Sequence, residues 1–321
     1  MKMNTRVTEI VNATITKTAK IQQLILLGLT RRQIADLITG GNYGFVQNVY
    51  AKMQQEGRLN QAAIITAIVE ERMTPKAFDK EFGVEFEAYN VDKTFLRNKL
   101  IAAGIRCEVE GYTHVTTPHW KIVTDGSLSG NQTFELVSPI LKGELGMNEL
   151  VTVCSVLNRC GAKVNKSCGT HVHLNARDFS IEQWKRIYIN YARLEKVIDD
   201  FMPESRRDDT NRYCKGFKNV SCFESKIRQA QSLQTIENLL LNSRYWKVNP
   251  QSYSRHKTCE FRQHAGTTDF VKISCWIRFL SNLVDYSEQY EVATGTLATL
   301  KNFNNNELVN YFEYRTLELA A

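Results

Sequence analysis

The sequence predicts an α+β protein in two parts, a small all-α domain followed by a larger one built on an antiparallel sheet. Three observations predict this. Apolar residues recur at helical spacing through the first quarter of the 321 residues. From Phe82 the pattern changes to strict alternation, the period of a strand. The charge is also uneven. Of a net +7, residues 1–76 hold +5 (10 Lys and Arg against 5 Asp and Glu), and the remainder holds +2 (31 against 29).

The first helix spans Lys17 to Gly28, with Ile21, Leu24, Ile25 and Leu27 apolar and Gly28 as its stop. Thr30 caps a second, Arg31 to Ile38, with Gln33 completing a capping box and Ile34, Leu37 and Ile38 facing inward. Thr39-Gly40-Gly41-Asn42 is a turn. A third helix runs from Tyr43 to Gln55 with Phe45, Val46, Val49 and Met53 apolar, and Asn60 caps a fourth that ends near Arg72. Two short helices about a glycine turn make a helix-turn-helix-like module. Its partner is either DNA or protein. On DNA, the third helix enters a groove with Gln47, Asn48 and Lys52, while Arg31 and Arg32 touch phosphates. Thr74-Pro75-Lys76 marks the junction, giving domains 1–76 and 77–321.

Eight cysteines occur without a C-x-x-C pair or a zinc spacing. The N-terminus has no apolar signal core, and the longest strongly apolar run, Ala62 to Val69, is far short of the roughly 20 residues of a membrane helix. The expectation is a cytoplasmic chain with free thiols and no membrane partner.

Four segments of the larger part carry chemistry. In Phe82 to Ala88 the apolar residues Phe82, Val84, Phe86 and Ala88 share one face, and Glu85 and Glu87 point together to the other. Two adjacent like charges require a cation or a raised pKa. Glu135 is a lone acid in the apolar strand Phe134 to Ile140, which follows Trp120 to Leu128 across an Asp125-Gly126 turn. His171, His173 and Asn175 share a face of Cys168 to Asn175, and H-x-H on a strand aims both imidazoles the same way. Glu260, Arg262 and His264 share a face of Thr258 to Thr267. Oxygen ligands with an imidazole suit Mg²⁺ or Mn²⁺ better than structural zinc. Helices are expected at Ile181 to Phe201, Leu233 to Asn242 and Thr268 to Gln289, with a loop at Asn302 to Asn306 before a last helix.

The ordered series FGVEFE, WKIVTDGSL, FELVSPIL-x-G, CGTHVHLN, MPESRR…NRYC and CEFRQHAGT resembles the amidoligase family over about residues 81–290. That family is similar in its core to glutamine synthetase and glutamate–cysteine ligase. The resemblance implies an antiparallel sheet curved around the active site with helices packed behind it. It also implies an ATP-dependent reaction in which a carboxylate is phosphorylated and an amine displaces the phosphate. By resemblance, Glu85, Glu87, Glu135, His171 and Glu260 hold Mg²⁺ or Mn²⁺, and Arg262 stabilises charge on the transferring phosphoryl group. His173 orients a ligand or touches substrate, and Glu135 can take the amine's proton. Arg206, Arg207 and Tyr213 match a nucleotide- or substrate-facing loop that can act as a lid. The substrates are small-molecule or peptide carboxylates and amines. Two competing readings are a metallohydrolase that uses the same carboxylates without ATP, and a DNA-binding regulator whose larger domain senses a ligand or is an inactive ligase.

Overall fold

In the computed structural model, which describes residues 5–27, 29–55, 59, 78–111, 113, 115–209 and 211–320, the chain divides into two units, Met1–Lys76 and Ala77–Ala321. The first unit contains α1 (Thr5–Asn12), α2 (Lys17–Leu26), α3 (Arg31–Ile34) and α4 (Tyr43–Gln55). Thr16 caps α2 by accepting from the Ala19 N–H, and Thr30 and Gln33 form the expected capping box on α3. α3 does not continue regularly to Ile38. It widens into a π turn, Ala35–Thr39, where the Thr39 hydroxyl donates to the Ala35 carbonyl. Gly40 and Gly41 follow at φ 62° and 90°, the left-handed region that a side chain disfavours, and this reverses the chain into α4. Ile21, Leu24, Ile34, Val46 and Met53 make a fully buried core. Phe45, one of the apolar residues of α4, is 41% exposed. The expected fourth helix and the 74–76 junction lie outside the described residues.

The second unit contains, in chain order, β1 (Glu81–Ala88), α5 (Lys93–Ala102), β2 (Cys107–Val109), β3 (Trp120–Val123), β4 (Phe134–Val137), β5 (Leu141–Lys142), α6 (Gly143–Arg159), β6 (Thr170–Asn175), α7 (Ile181–Asp200), α8 (Phe223–Gln229), α9 (Leu233–Leu239), β7 (Val248–Asn249), α10 (Ser252–His256), β8 (Thr258–Phe261), α11 (Phe270–Tyr286) and α12 (Asn306–Ala320). The strands form one sheet in the order β2-β3-β4-β1-β6-β8-β7, with β5 also paired to β1. Every pairing is antiparallel except β2 with β3. The α+β architecture expected from the sequence is therefore the one observed.

Alternation divides the sheet into two faces. Phe82, Val84 and Phe86 of β1, Ile122 of β3, Leu136 of β4, Val172 and Leu174 of β6 and Phe261 of β8 are all buried on one. Helices cover that face. The Tyr191 ring of α7 lies 5.7 Å from that of Phe261, and Trp120 donates its indole N–H to Glu149 of α6. A Cβ on Gly146 of α6 would stand 2.8 Å from Leu141 and 3.1 Å from Phe82, so the helix rests directly on the sheet there. α6 itself begins at Gly143, whose φ of 55° and close approach to the Phe78 carbonyl exclude a side chain.

Candidate active site

The other face of the sheet is polar, and the strand register decides which residues meet on it. Glu87 of β1 lies opposite Glu135 of β4, and Glu85 lies opposite His171 of β6. His173 lies opposite Glu260 of β8, and Glu260 lies opposite Asn249 of β7. Directly opposed residues in antiparallel strands project to the same side. Residues as far apart in the chain as Glu85 and Glu260 thus line one cleft.

Hydrogen bonds fix their orientation. His171 Nδ1 is 2.8 Å from Glu85 Oε2, and its Nε2 is 3.6 Å from Glu87 Oε1. His173 Nδ1 lies 2.8 Å from Thr258 Oγ1, and its Nε2 lies 3.3 Å from Glu85 Oε1. Glu260 accepts from Arg262 Nη1 and from Asn249 Nδ2, each at 2.6 Å. Glu87 accepts from the Gly169 N–H. Where β4 leaves β1 before Pro139, Ser138 fills the gap, since its hydroxyl accepts from the Val84 N–H.

The electrostatics divide the acids into two kinds. Burial opposes ionisation of Glu85, but the hydrogen bonds and charges of His171 and His173 override it and hold its pKa well below the usual range. Burial likewise opposes ionisation of Glu260, and Arg262 with His173 brings its pKa down. Glu135 draws relief only from the charge of Arg262, the smallest of the influences on it. Burial, then the charges of Glu85, Glu87 and Asp125, drive its pKa well above the carboxylate range. His173 is raised, because Glu260 and Glu85 outweigh its burial.

Three overlapping groups each bring donor atoms within 4.8 Å of one another: Glu85, His173 and Glu260; Glu85, Glu135 and His171; Glu87, Asp125 and Glu135. Glu85 and Glu135 are each shared by two groups. The donors are chiefly carboxylate oxygens with one imidazole in two of the groups, a set that fits Mg²⁺ or Mn²⁺. The crowding that raises Glu135 is what a divalent cation would offset, so these residues fit such an ion.

A scan against family models matches residues 79–284, more than half of the chain, to the family described as "Putative amidoligase enzyme". The chain belongs to this family. Membership in the amidoligase family supports a ligase-type function. No curated protein matches the chain. Among solved structures, a novel glutamine synthase homolog aligns with a TM-score of 0.38 and 12% identity over 76% of this chain. The chain spans 65% of that structure's length, just under two thirds, and a similarity so distant carries no functional weight.

Not every expected residue of the amidoligase cleft takes its expected place. His264 does not share the face of Glu260 and Arg262. β8 ends at Phe261, the alternation lapses, and His264 turns to Trp276 of α11 at 5.7 Å between ring centroids. Burial there lowers its pKa to about 3. Arg206, Arg207 and Tyr213 do not line the cleft. Arg207 donates to the Met202 carbonyl at 2.7 Å, and Tyr213 meets Arg262 only through its main-chain carbonyl, at 3.3 Å. Arg206 is 3% exposed and packs against Gly169, where a Cβ would stand 3.2 Å from its guanidinium and 3.0 Å from His171 Nε2. The loop they occupy is fastened to α7, since Asp199 accepts from the Asp208 N–H and Glu195 accepts from the Phe217 N–H.

Three contributors escaped the sequence reading. Asp125 does serve its turn, accepting from the Ser127 N–H at 2.6 Å, and it also faces Glu87 and Glu135. Asn249 lies in a two-residue strand that shows no alternation. Thr258 begins β8 two residues before Glu260, a spacing that shares its face.

At one end of the cleft Thr113, Val115 and Thr116 approach from the crossover between β2 and β3. Lys121, 3% exposed on β3, holds that crossover by donating to the carbonyls of Thr113 at 3.1 Å and Val115 at 2.6 Å.

Proposed function

We propose that residues 77–321 act as an ATP-dependent carboxylate–amine ligase that forms an amide, or peptide bond, through an acyl phosphate. One observation carries this reading: among the described residues, three overlapping groups of acids, two of them with an imidazole, bring donor atoms close enough for divalent cations, with Arg262 paired to Glu260 beside them. A triphosphate and a carboxylate repel each other, and such a row of cation positions beside a guanidinium offsets that repulsion.

In this reading Glu85, Glu87, Glu135, His171 and Glu260 hold Mg²⁺ or Mn²⁺, joined by Asp125 and His173. The ions supply charge neutralisation at the phosphate oxygens. Arg262, oriented by Glu260 and by the Tyr213 carbonyl, stabilises negative charge on the phosphoryl group in transfer. Arg206 adds positive charge at Gly169, next to His171. Glu135, which lines the cleft, accepts the proton that the attacking amine loses. His173, fixed by Thr258, sets the direction of Glu85. The carboxylate and amine are small molecules or peptides that enter the cleft.

The test is release of ADP by purified full-length protein with Mg²⁺ or Mn²⁺ and mixtures of amino acids and peptides. Release should require both a carboxylate and an amine. Glu85→Gln and Glu260→Gln should each lower it at least about 100-fold with unchanged circular dichroism. Wild-type turnover in both variants would remove the metal assignment. No ADP from any mixture would overturn the reading.

A further inference from the structure

We infer that the solvent face of α4 in the N-terminal unit is a surface for duplex DNA. The ligase reading makes no use of this unit, and the inference stands apart from it. Val46, Val49 and Met53 turn one side of α4 into the module's core. At 100° per residue, the opposite side carries Gly44, Gln47, Asn48, Ala51 and Gln55, with Gln54 and Lys52 towards its two edges. Gly44, Asn48, Lys52 and Gln55 are exposed, and Gln47 and Ala51 are half-buried.

The chemistry of that strip selects its partner. α4 contains no acidic residue. Gly44 and Ala51 are small enough to let a groove wall approach. Asn and Gln present a donor and an acceptor together, the pairing that reads the major-groove edge of adenine. A protein-docking face would instead centre on a large apolar or aromatic anchor. Here the exposed rings, Tyr43 and Phe45, lie at the margins of the strip. The charge agrees. Residues 5–55 hold six basic residues, Arg6, Lys17, Lys20, Arg31, Arg32 and Lys52, against two acidic ones, Glu9 and Asp36.

The contact set differs from the one expected from sequence. Arg31 is not aimed outward at a phosphate. It donates to Gln47 Oε1 at 2.5 Å and lies 4.8 Å from the Tyr50 ring centroid, bracing α3 against α4. Asn48 and Gln55 are left as the amides that address bases, with Lys52 and the exposed Arg32 for the backbone.

The experiment measures fluorescence anisotropy of the full-length chain on a labelled mixed-sequence duplex of roughly 30 base pairs, about three helical turns. Binding should weaken at least about tenfold when salt rises from roughly 50 to 200 mM. The Asn48→Asp/Lys52→Glu double variant should bind at least about tenfold more weakly than wild type. The charge-matched control Lys17→Glu/Thr18→Asp, on the exposed start of α2, should change binding less than about threefold. Asn48→Ala, which leaves the charge alone, carries the same test should the double variant lose helix by circular dichroism. No retention of the duplex at low salt would overturn the proposal, as would equal weakening by the α2 and α4 variants. ADP release should be unaltered by all of these changes, which keeps this outcome separate from that of the ligase assay.

Discussion

Glu135 is the residue at which site and stability pull in opposite directions. It is surrounded by Glu85, Glu87 and Asp125, and the charge of Arg262 offsets them only in part, whereas His171 and His173 hydrogen-bond Glu85. Neutralising it should stabilise the metal-free protein while removing a ligand shared by two groups. Glu135→Gln should raise the melting temperature without metal by about 2–4 °C, equivalent to about 1 kcal/mol, and should abolish the increment that Mg²⁺ or Mn²⁺ gives wild type. Melting curves of both proteins with each ion and with chelator check this. His264 supplies a pH dependence of known sign. Burial, reinforced by the charges of Lys272, Arg315 and Arg206 and only partly offset by the Ala265 carbonyl, holds its pKa near 3 instead of 6.5. Between those values the unfolded chain binds a proton that the folded chain does not. Its contribution is complete above about pH 6.5 and is lost as pH falls toward 3, by up to about 1.4 kcal/mol per unit. Denaturant midpoints at pH 7 and pH 5 should therefore diverge less in His264→Gln than in wild type.

At the scale of elements, a buried ionic knot joins β7, α7 and the loop that carries Arg206. Lys247 is fully buried and lies 2.6 Å from Asp199 and 2.7 Å from Glu195 of α7. Asp199 also accepts from Gln263, and the Lys247 carbonyl accepts from the Arg262 N–H. Lys247→Met would strand two buried carboxylates, with an expected loss of about 3–5 kcal/mol in chemical denaturation. Adding Asp199→Asn and Glu195→Gln should recover most of it. None of this was legible in the sequence, because Lys247, Glu195 and Asp199 share no motif and meet only through tertiary packing. The strand faces were legible. Glu85 and Glu87 alternate with Phe82, Val84 and Phe86, and a period of two leaves one arrangement for them. Legibility ended where regular backbone ended. His264 follows the last residue of β8, so its alternation with Glu260 carried no meaning. The helices Lys93–Ala102 and Gly143–Arg159 went unread although Asp92 caps the first, accepting from the Phe95 N–H. α6 starts straight from a strand with no side-chain cap to announce it.

At the scale of the molecule, the two units have separate cores, and stability should divide accordingly. Leu24 is fully buried in the first unit. Leu24→Ala should cost about 2–5 kcal/mol in that unit's unfolding and leave the metal-dependent melting of the second unit in place. Calorimetry of the full chain with and without Mg²⁺ would separate the two transitions, and a single merged transition shifted as a whole by Leu24→Ala would contradict that independence. The sheet's one parallel pairing has a different reach. A parallel neighbour cannot be joined by a tight turn, so the chain between β2 and β3 must travel back along the strands before pairing. That return path ends at the rim of the cleft, tethered by the amine of Lys121 and not by the carboxylates. Lengthening or shortening it would resize the doorway while leaving the sheet register and the acid row alone. The topology thus separates the entrance of the cleft from its acidic floor, and other entrance sizes can be tried by insertion in one loop.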